Sequence, residues 1–171
     1  MELKKLLDPF PAKEEARLVA QSIAENPMYI NELWDICISN EKHSWRATWI
    51  LDKIYDIAPD LVRLYLPQMI ELVPTLSNES KLRQYLKLIS LEPLPGNVSG
   101  DFINYCFDAL ISSTSAIAIK VYAMQILYNF SLQEPDIQNE LALVIEEQME
   151  NGSAGYCSRA RKILKAISTV K

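Results

Sequence analysis

The sequence holds one histidine, four glycines and three cysteines among 171 residues, and each shortage closes off a class of chemistry. With His43 the sole imidazole, a Ser-His-Asp or Cys-His mechanism would have to centre on it. His43 lies in the polar turn NEKHS beside Lys42, where it reads as an exposed residue at a helix start. Glycine is too sparse for a phosphate-cradling loop; GNVSG, residues 96–100, lacks both the lysine and the strand-to-helix setting. Cys37, Cys106 and Cys157 are odd in number, far apart and each set in an apolar helical pattern. That predicts reduced, packed thiols with no disulfide framework and no zinc site. No apolar run approaches the roughly 20 residues that span a bilayer. The opening MELKKLLDPFPAKEEA turns polar after Leu7, without the apolar centre of a secretory signal. No stretch shows sustained alternation with β-branched residues, so no strand is expected. These absences leave a folded, cytoplasmic, helical protein as the expectation, with no metal or cofactor site and with enzyme the weaker class.

Charge is scarce in one sign locally. The net charge is −5, yet residues 91–150 carry nine acids against Lys120 alone, and residues 151–171 carry five bases and no acid. A chain this acidic is a poor general ligand for nucleic acid, whose binding rests on phosphate contacts. The basic end reads first as a solvated last helix, and it could also meet an acidic partner.

What the sequence does contain is a repeat. The stretch SWRATWILDKIYDIAPDLVRLYLPQMIELVPTL, residues 44–76, reads as a helix, a proline-marked corner at Ala58-Pro59-Asp60 and a returning helix. Seventy-six residues on, Ala123, Ile126, Leu127 and Phe130 fall on Ala47, Ile50, Leu51 and Ile54. Pro135-Asp136-Ile137 falls on Pro59-Asp60-Leu61, and Ile145 on Met69. Two units of about 38 residues lie within the range of helical-repeat solenoids. The same ladder recurs as Leu82, Tyr85, Leu86 and Ile89, and as Ala160, Ile163, Leu164 and Ile167.

The whole chain, 1–171, therefore reads as one all-α domain of four helix pairs behind an N-terminal cap. Residues 1–11 form a lead-in that Pro9 and Pro11 keep from being a continuous helix. Residues 12–25 form a capping helix with Ala16, Val19, Ala20 and Ile23 inward and a polar outer face, as a solenoid end requires. The pairs are 27–57, 59–90, 99–131 and 135–168. Asn26, Ser99 and Ser115 are the expected N-caps, Pro67 should kink its helix, and Gly152 suits a left-handed terminus. Ile30, Leu33, Trp34 and Cys37 form one buried stripe.

These pairs resemble HEAT repeats and the related armadillo-like superhelix. PDLVRLYLPQMIELVPTLSNESKLRQYLKLI, from Pro59, carries the likeness best: Pro-Asp at the first helix start, a proline kink, and a basic residue ahead of the second ladder. Basic residues recur near that place as Arg46, Lys81, Lys120 and Arg159. The loop EPLPGNVSG after Ile89 departs from the pattern as a longer corner. The resemblance implies a right-handed α-α superhelix whose second helices line a concave surface.

At about 100° per residue, the face opposite each ladder carries Trp45, Trp49, Asp52 and Asp56, then Ser80, Gln84 and Lys87. It continues with Val121, Gln125 and Tyr128, and ends with Ser158, Lys162 and Lys165. The strip is aromatic and acidic at one end and basic at the other. Large aromatics on an outward face are favoured interface anchors, although a neighbouring helix could equally cover Trp45 and Trp49. Asp52 and Asp56 read as a solvated face. The expected function is a non-enzymatic scaffold, monomer or homodimer, that holds a protein or peptide segment on this strip. A basic segment with an apolar anchor would suit it. Two alternatives stand beside it. Some small HEAT-like folds are alkyl-base DNA glycosylases, and Trp49 with Asp52 or Asp56 faintly resembles their site without the basic track. The chain could also be an accessory subunit of a larger enzyme.

Overall fold

The computed structural model describes residues 3–7 and 13–170. Among them are eleven α-helices and no strand. They are α1 (Leu3–Leu7), α2 (Lys13–Glu25), α3 (Ile30–Ile38), α4 (Ser44–Ile57), α5 (Pro59–Arg63), α6 (Leu66–Leu72) and α7 (Glu79–Ser90). Then follow α8 (Gly100–Ile111), α9 (Ile117–Ser131), α10 (Gln138–Met149) and α11 (Ala154–Val170).

Their packing follows from the apolar ladders. Ala47, Ile50, Leu51 and Ile54 are buried, as are Ala123, Ile126 and Leu127, while Phe130 is only partly covered. Every second helix therefore rests on the one before it: α2 on α4, α4 on α7, α7 on α9 and α9 on α11. The first helices flank this stack, α3 against α4, α6 against α7, α8 against α9 and α10 against α11. The result is an all-α solenoid of paired helices with one continuous core. Trp34 lies in that core, its ring stacked on Tyr65 with centroids 4.7 Å apart and near Tyr85 at 5.9 Å.

The N-terminus differs from a plain lead-in. Leu3–Leu7 is helical, buries Leu3 and Leu7, and packs on α3, so α1 takes the place of a first helix and α2 that of a second. A continuous helix needs only local periodicity, but two buried leucines four apart are enough to dock one turn. The proposed break at Pro9 and Pro11 lies outside the described residues.

Local chemistry fixes the helix ends, with some departures from expectation. Pro67 does interrupt its helix: the chain turns at Leu64–Tyr65 between α5 and α6, and the proline sits in the first turn of α6 where its missing N–H costs nothing. The side chain of Asn78 accepts from the Lys81 amide at 3.0 Å and that of Ser99 from the Phe102 amide at 3.3 Å. Asn26 caps nothing. Its Nδ2 donates back to the Ser22 carbonyl at 3.0 Å, and the chain enters α3 through a 3₁₀ turn, Pro27–Tyr29. Ser115 is likewise not the cap of α9; Ala116 holds that position, and the Ser115 amide donates to Ser112 Oγ at 3.2 Å.

Gly152 has no positive φ, so a left-handed terminus does not explain it. Space does. A Cβ at Gly152 would lie 2.9 Å from Tyr156 Cδ1, 3.0 Å from Cys157 Sγ and 3.1 Å from the Gln148 carbonyl oxygen. The corner before α11 closes only on a residue without a side chain.

Two stability changes of opposite sign follow. Gly152→Ala should destabilise by about 1–3 kcal/mol, since the backbone carbonyl cannot yield as a side chain would. Tyr85 is fully buried, and among the described residues its hydroxyl has no hydrogen-bond partner. Tyr85→Phe removes that desolvated group and should stabilise by about 1 kcal/mol. Thermal and urea unfolding measure both.

Candidate functional site

The face opposite the ladders lies on the stacked second helices, and the structure divides it into three parts. Trp45 and Trp49, one turn apart on α4, are both partly buried. They line a hollow of about 170 Å³ with Ser80, Arg83 and Gln84 of α7. Trp49 leans on the core, while Trp45 carries the Arg46 guanidinium 5.5 Å from its ring centroid. Gln84 therefore joins the tryptophans.

Asp52 corrects the reading of a solvated face. It is 3% exposed. Its Oδ1 accepts from Lys87 Nζ of α7 at 2.5 Å and its Oδ2 from Lys53 Nζ at 3.1 Å. Lys53 also reaches Asp56 at 3.0 Å, which leaves Asp56 as the exposed member of the group. Burial works against the Lys53 charge, but the hydrogen bonds to Asp56 and Asp52 outweigh it and hold its pKa above the ordinary lysine value. The wheel angle measures direction from one helix only; here α7 lies across that direction and covers Asp52. Of the acidic end of the strip, Asp52 is thus spent within the fold and Asp56 stays exposed. Asp52 offers no free carboxylate for a basic segment, nor for general-base chemistry beside Trp49.

The third part is a groove of about 740 Å³ where the end of α7 meets α9 and the first turns of α11. Its lining includes the polar Lys87, Gln125 and Arg159 and the apolar Leu91, Pro93 and Leu132. Arg159 Nη1 donates to Gln125 Oε1 at 2.7 Å, which links α11 to α9. Gln125 passes a hydrogen bond to Asn129 at 2.8 Å, and Asn129 Nδ2 donates to the carbonyls of Ser90 at 3.2 Å and Glu92 at 3.0 Å. Gln133 Nε2 holds the Leu94 carbonyl at 2.7 Å. The Glu92 carboxylate accepts from Tyr55 Oη and from Arg63 Nε, the latter at 2.7 Å. The long corner EPLPGNVSG is therefore tied down on both sides and forms a fixed wall.

Of the remaining strip residues, Tyr128 is half-buried against the core, and Lys162 and Lys165 stand exposed on α11 away from these openings. Arg159, Tyr122, Asn129, Leu91 and Leu132 line the groove without having been on the strip. Arg159 had a signal, as one of the recurring basic residues. The leucines had none, because a loop and a neighbouring helix end bring them together.

The recurring bases have a structural part. Arg46 Nη1 donates to the Leu7 carbonyl at 2.6 Å and Lys81 Nζ to the Ser39 carbonyl at 3.0 Å. Each reaches back to the end of the first helix of the preceding unit, where carbonyls lack intrahelical partners. Lys120 instead meets Gln148 at 3.4 Å.

Charge also sorts by layer in the C-terminal half. α7 carries Lys81, Arg83 and Lys87 against Glu79; α9 carries Lys120 alone; α11 carries Arg159, Arg161, Lys162 and Lys165 without an acid. The first helices α8 and α10 hold Asp101, Asp108, Glu140, Glu146 and Glu147 and no base. Among the described residues no group of three or more His, Cys, Asp or Glu side chains could hold a metal ion, and no helix is long and apolar enough to cross a membrane.

A stack of antiparallel helix pairs, with a polar groove on its second helices, defines a helical-repeat scaffold, a fold typical of protein-interaction roles. The family model of the HEAT repeat domain matches residues 3–167. The chain belongs to that family. No curated protein and no solved structure matches it.

The Asp52 clamp predicts an asymmetry. Asp52→Ala strips two lysines of their buried counter-charge and should cost about 2–4 kcal/mol, toward the range for breaking a buried pair. Lys87→Ala leaves Asp52 with Lys53, and the Lys87 side chain is 30% exposed. It should cost only about 1 kcal/mol. Chemical denaturation of both variants and the double mutant measures the coupling.

Proposed function

We propose that this HEAT-repeat chain is a non-enzymatic scaffold that holds a segment of a partner protein across its second helices. One observation carries the reading. Two openings on the second-helix stack adjoin each other along α7, the hollow beside Trp45 and Trp49 and the groove lined by Lys87 and Arg159. Gln84 in the first and Lys87 in the second are one turn apart on α7, so a single extended segment could enter both. Tryptophans that are partly covered by their own fold are held in place before a partner arrives, which lowers the cost of ordering them on binding. The pairing of Asp52 with Lys53 and Lys87 leaves Asp56 as the one exposed carboxylate of the strip's acidic end, so this reading rests on the apolar anchor rather than on the attraction for a basic segment.

The thiols fit a reducing, cytoplasmic setting. Cys37 and Cys106 are buried and free, and burial pushes both well above the usual thiol range, with Lys81 pulling weakly the other way at Cys37.

The test compares wild type with Trp45→Ala/Trp49→Ala, after circular dichroism shows equal helicity. Partners captured from native cytosol are identified by mass spectrometry, and the binding segment is then made and titrated against both proteins. The expected result is a loss of at least about tenfold in affinity for the double variant. Equal affinity of both proteins for every partner segment would remove the tryptophan face from the function.

A further inference from the structure

We infer that the groove where α7 meets α9 and α11 takes an acidic protein segment that carries an apolar side chain. This deepens the scaffold reading and rests on it.

The first argument is the character of the lining. Leu91 and Leu132 are 53% and 54% exposed, large values for two leucines that line one groove. Buried against a partner, each would contribute apolar area at about 25 cal/mol per Å². The same groove is lined by Lys87 and Arg159. The Lys87 ammonium has three donors and gives one to Asp52; the Arg159 guanidinium has five and gives one to Gln125. Both cations are positioned by these bonds and keep donors for a ligand. A carboxylate arriving next to a leucine or phenylalanine meets a matching group for each in this lining.

The second argument is the sign of the surroundings. The second helices from α7 onward are basic, whereas α8 and α10 on the other layer carry only acids. The net charge of −5 conceals this segregation. An acidic segment is drawn to the second-helix layer and repelled from the first, which fixes the side it approaches as well as the site. The one carboxylate in the groove does not oppose it: Glu92 is 11% exposed at its side chain and neutralised by Arg63.

The third argument is rigidity. The wall formed by the corner after α7 is held by Asn129, Gln133, Tyr55 and Arg63, so the cleft exists before a ligand enters. A volume of about 740 Å³ suits a few residues of an extended chain. A nucleic-acid strand would meet the same cations but would leave Leu91 and Leu132 without an apolar partner, and DNA competition separates the two.

The experiment is selection of a randomised peptide-display library on the full chain, followed by fluorescence anisotropy with the enriched peptide in labelled form. Wild type is compared with Arg159→Glu, Leu132→Asp and Trp45→Ala/Trp49→Ala, and unlabelled single-stranded DNA is added as competitor. Leu132 and Arg159 are not core residues, so both single variants should fold, which circular dichroism checks. The expected outcome is a consensus of acids around an apolar residue. Binding should fall at least about tenfold in both groove variants, weaken with added salt and resist DNA. A neutral or basic consensus, affinity unchanged in both groove variants, or displacement by DNA overturns the proposal. Peptides lost only with the tryptophan variant would overturn it while leaving the scaffold reading intact. Failure to enrich any peptide would count against both.

Discussion

No helix pair in this chain can bury its own apolar ladder. Two helices joined by a short corner cover one stripe between them and leave another exposed, and the next pair must lie on it. Every other feature answers to that constraint. It sets the second helices in one continuous stack, α2 to α11. It also leaves one row of side chains pointing away from the core on successive helices, which is where a scaffold can meet another molecule. Arg46 and Lys81 reinforce the stacking by reaching back to the carbonyls of Leu7 and Ser39, so that each fixes its unit against the one before. Hydrophobic burial alone would let neighbouring helices slide; a directed bond to a particular carbonyl does not.

How much of this the sequence discloses depends on how local the cause is. The ladders are legible because a 3.6-residue period and an echo at 76 residues are properties of the chain itself, and Ile50, Leu51, Tyr85 and Ile126 are buried as that pattern requires. The kink at Pro67 is legible for the same reason. Capping is less so. Asn26 and Ser115 have the right chemistry, but the backbone enters those helices through a 3₁₀ turn and a serine-bonded turn that leave their side chains no amide to accept from. Asp52 is the instructive residue. On α4 alone it faces away from the core, and only the arrival of α7 with Lys87 turns that outward position into an interior one. Trp45 and Trp49 share their hollow with Ser80, Arg83 and Gln84 of the same neighbour. The groove lies further still from the sequence, because Leu91 belongs to a loop, Leu132 to a helix end and Arg159 to another repeat.

The layers differ in charge as well as in position. A solenoid has two faces that never share a core, so selection can load them with opposite signs without placing like charges in contact inside the fold. Here the first helices α8 and α10 are acidic and the second helices from α7 onward basic. Net charge is a poor guide to such a molecule, since the two layers nearly cancel while each presents its own field. The free thiols at Cys37 and Cys106, held neutral by burial, add nothing to either face.

The corner after α7 has a consequence for how the array comes apart. In a linear stack where each unit touches only its neighbours, melting can start at an end and travel inward one unit at a time. This corner is fastened to Tyr55 and Arg63 on one side and to Asn129 and Gln133 on the other. It acts as a rivet across the midpoint: unfolding that passes from one half to the other has these bonds to break in addition to the helix packing. The long loop, which looks like the weakest link in the chain, is tied to both halves.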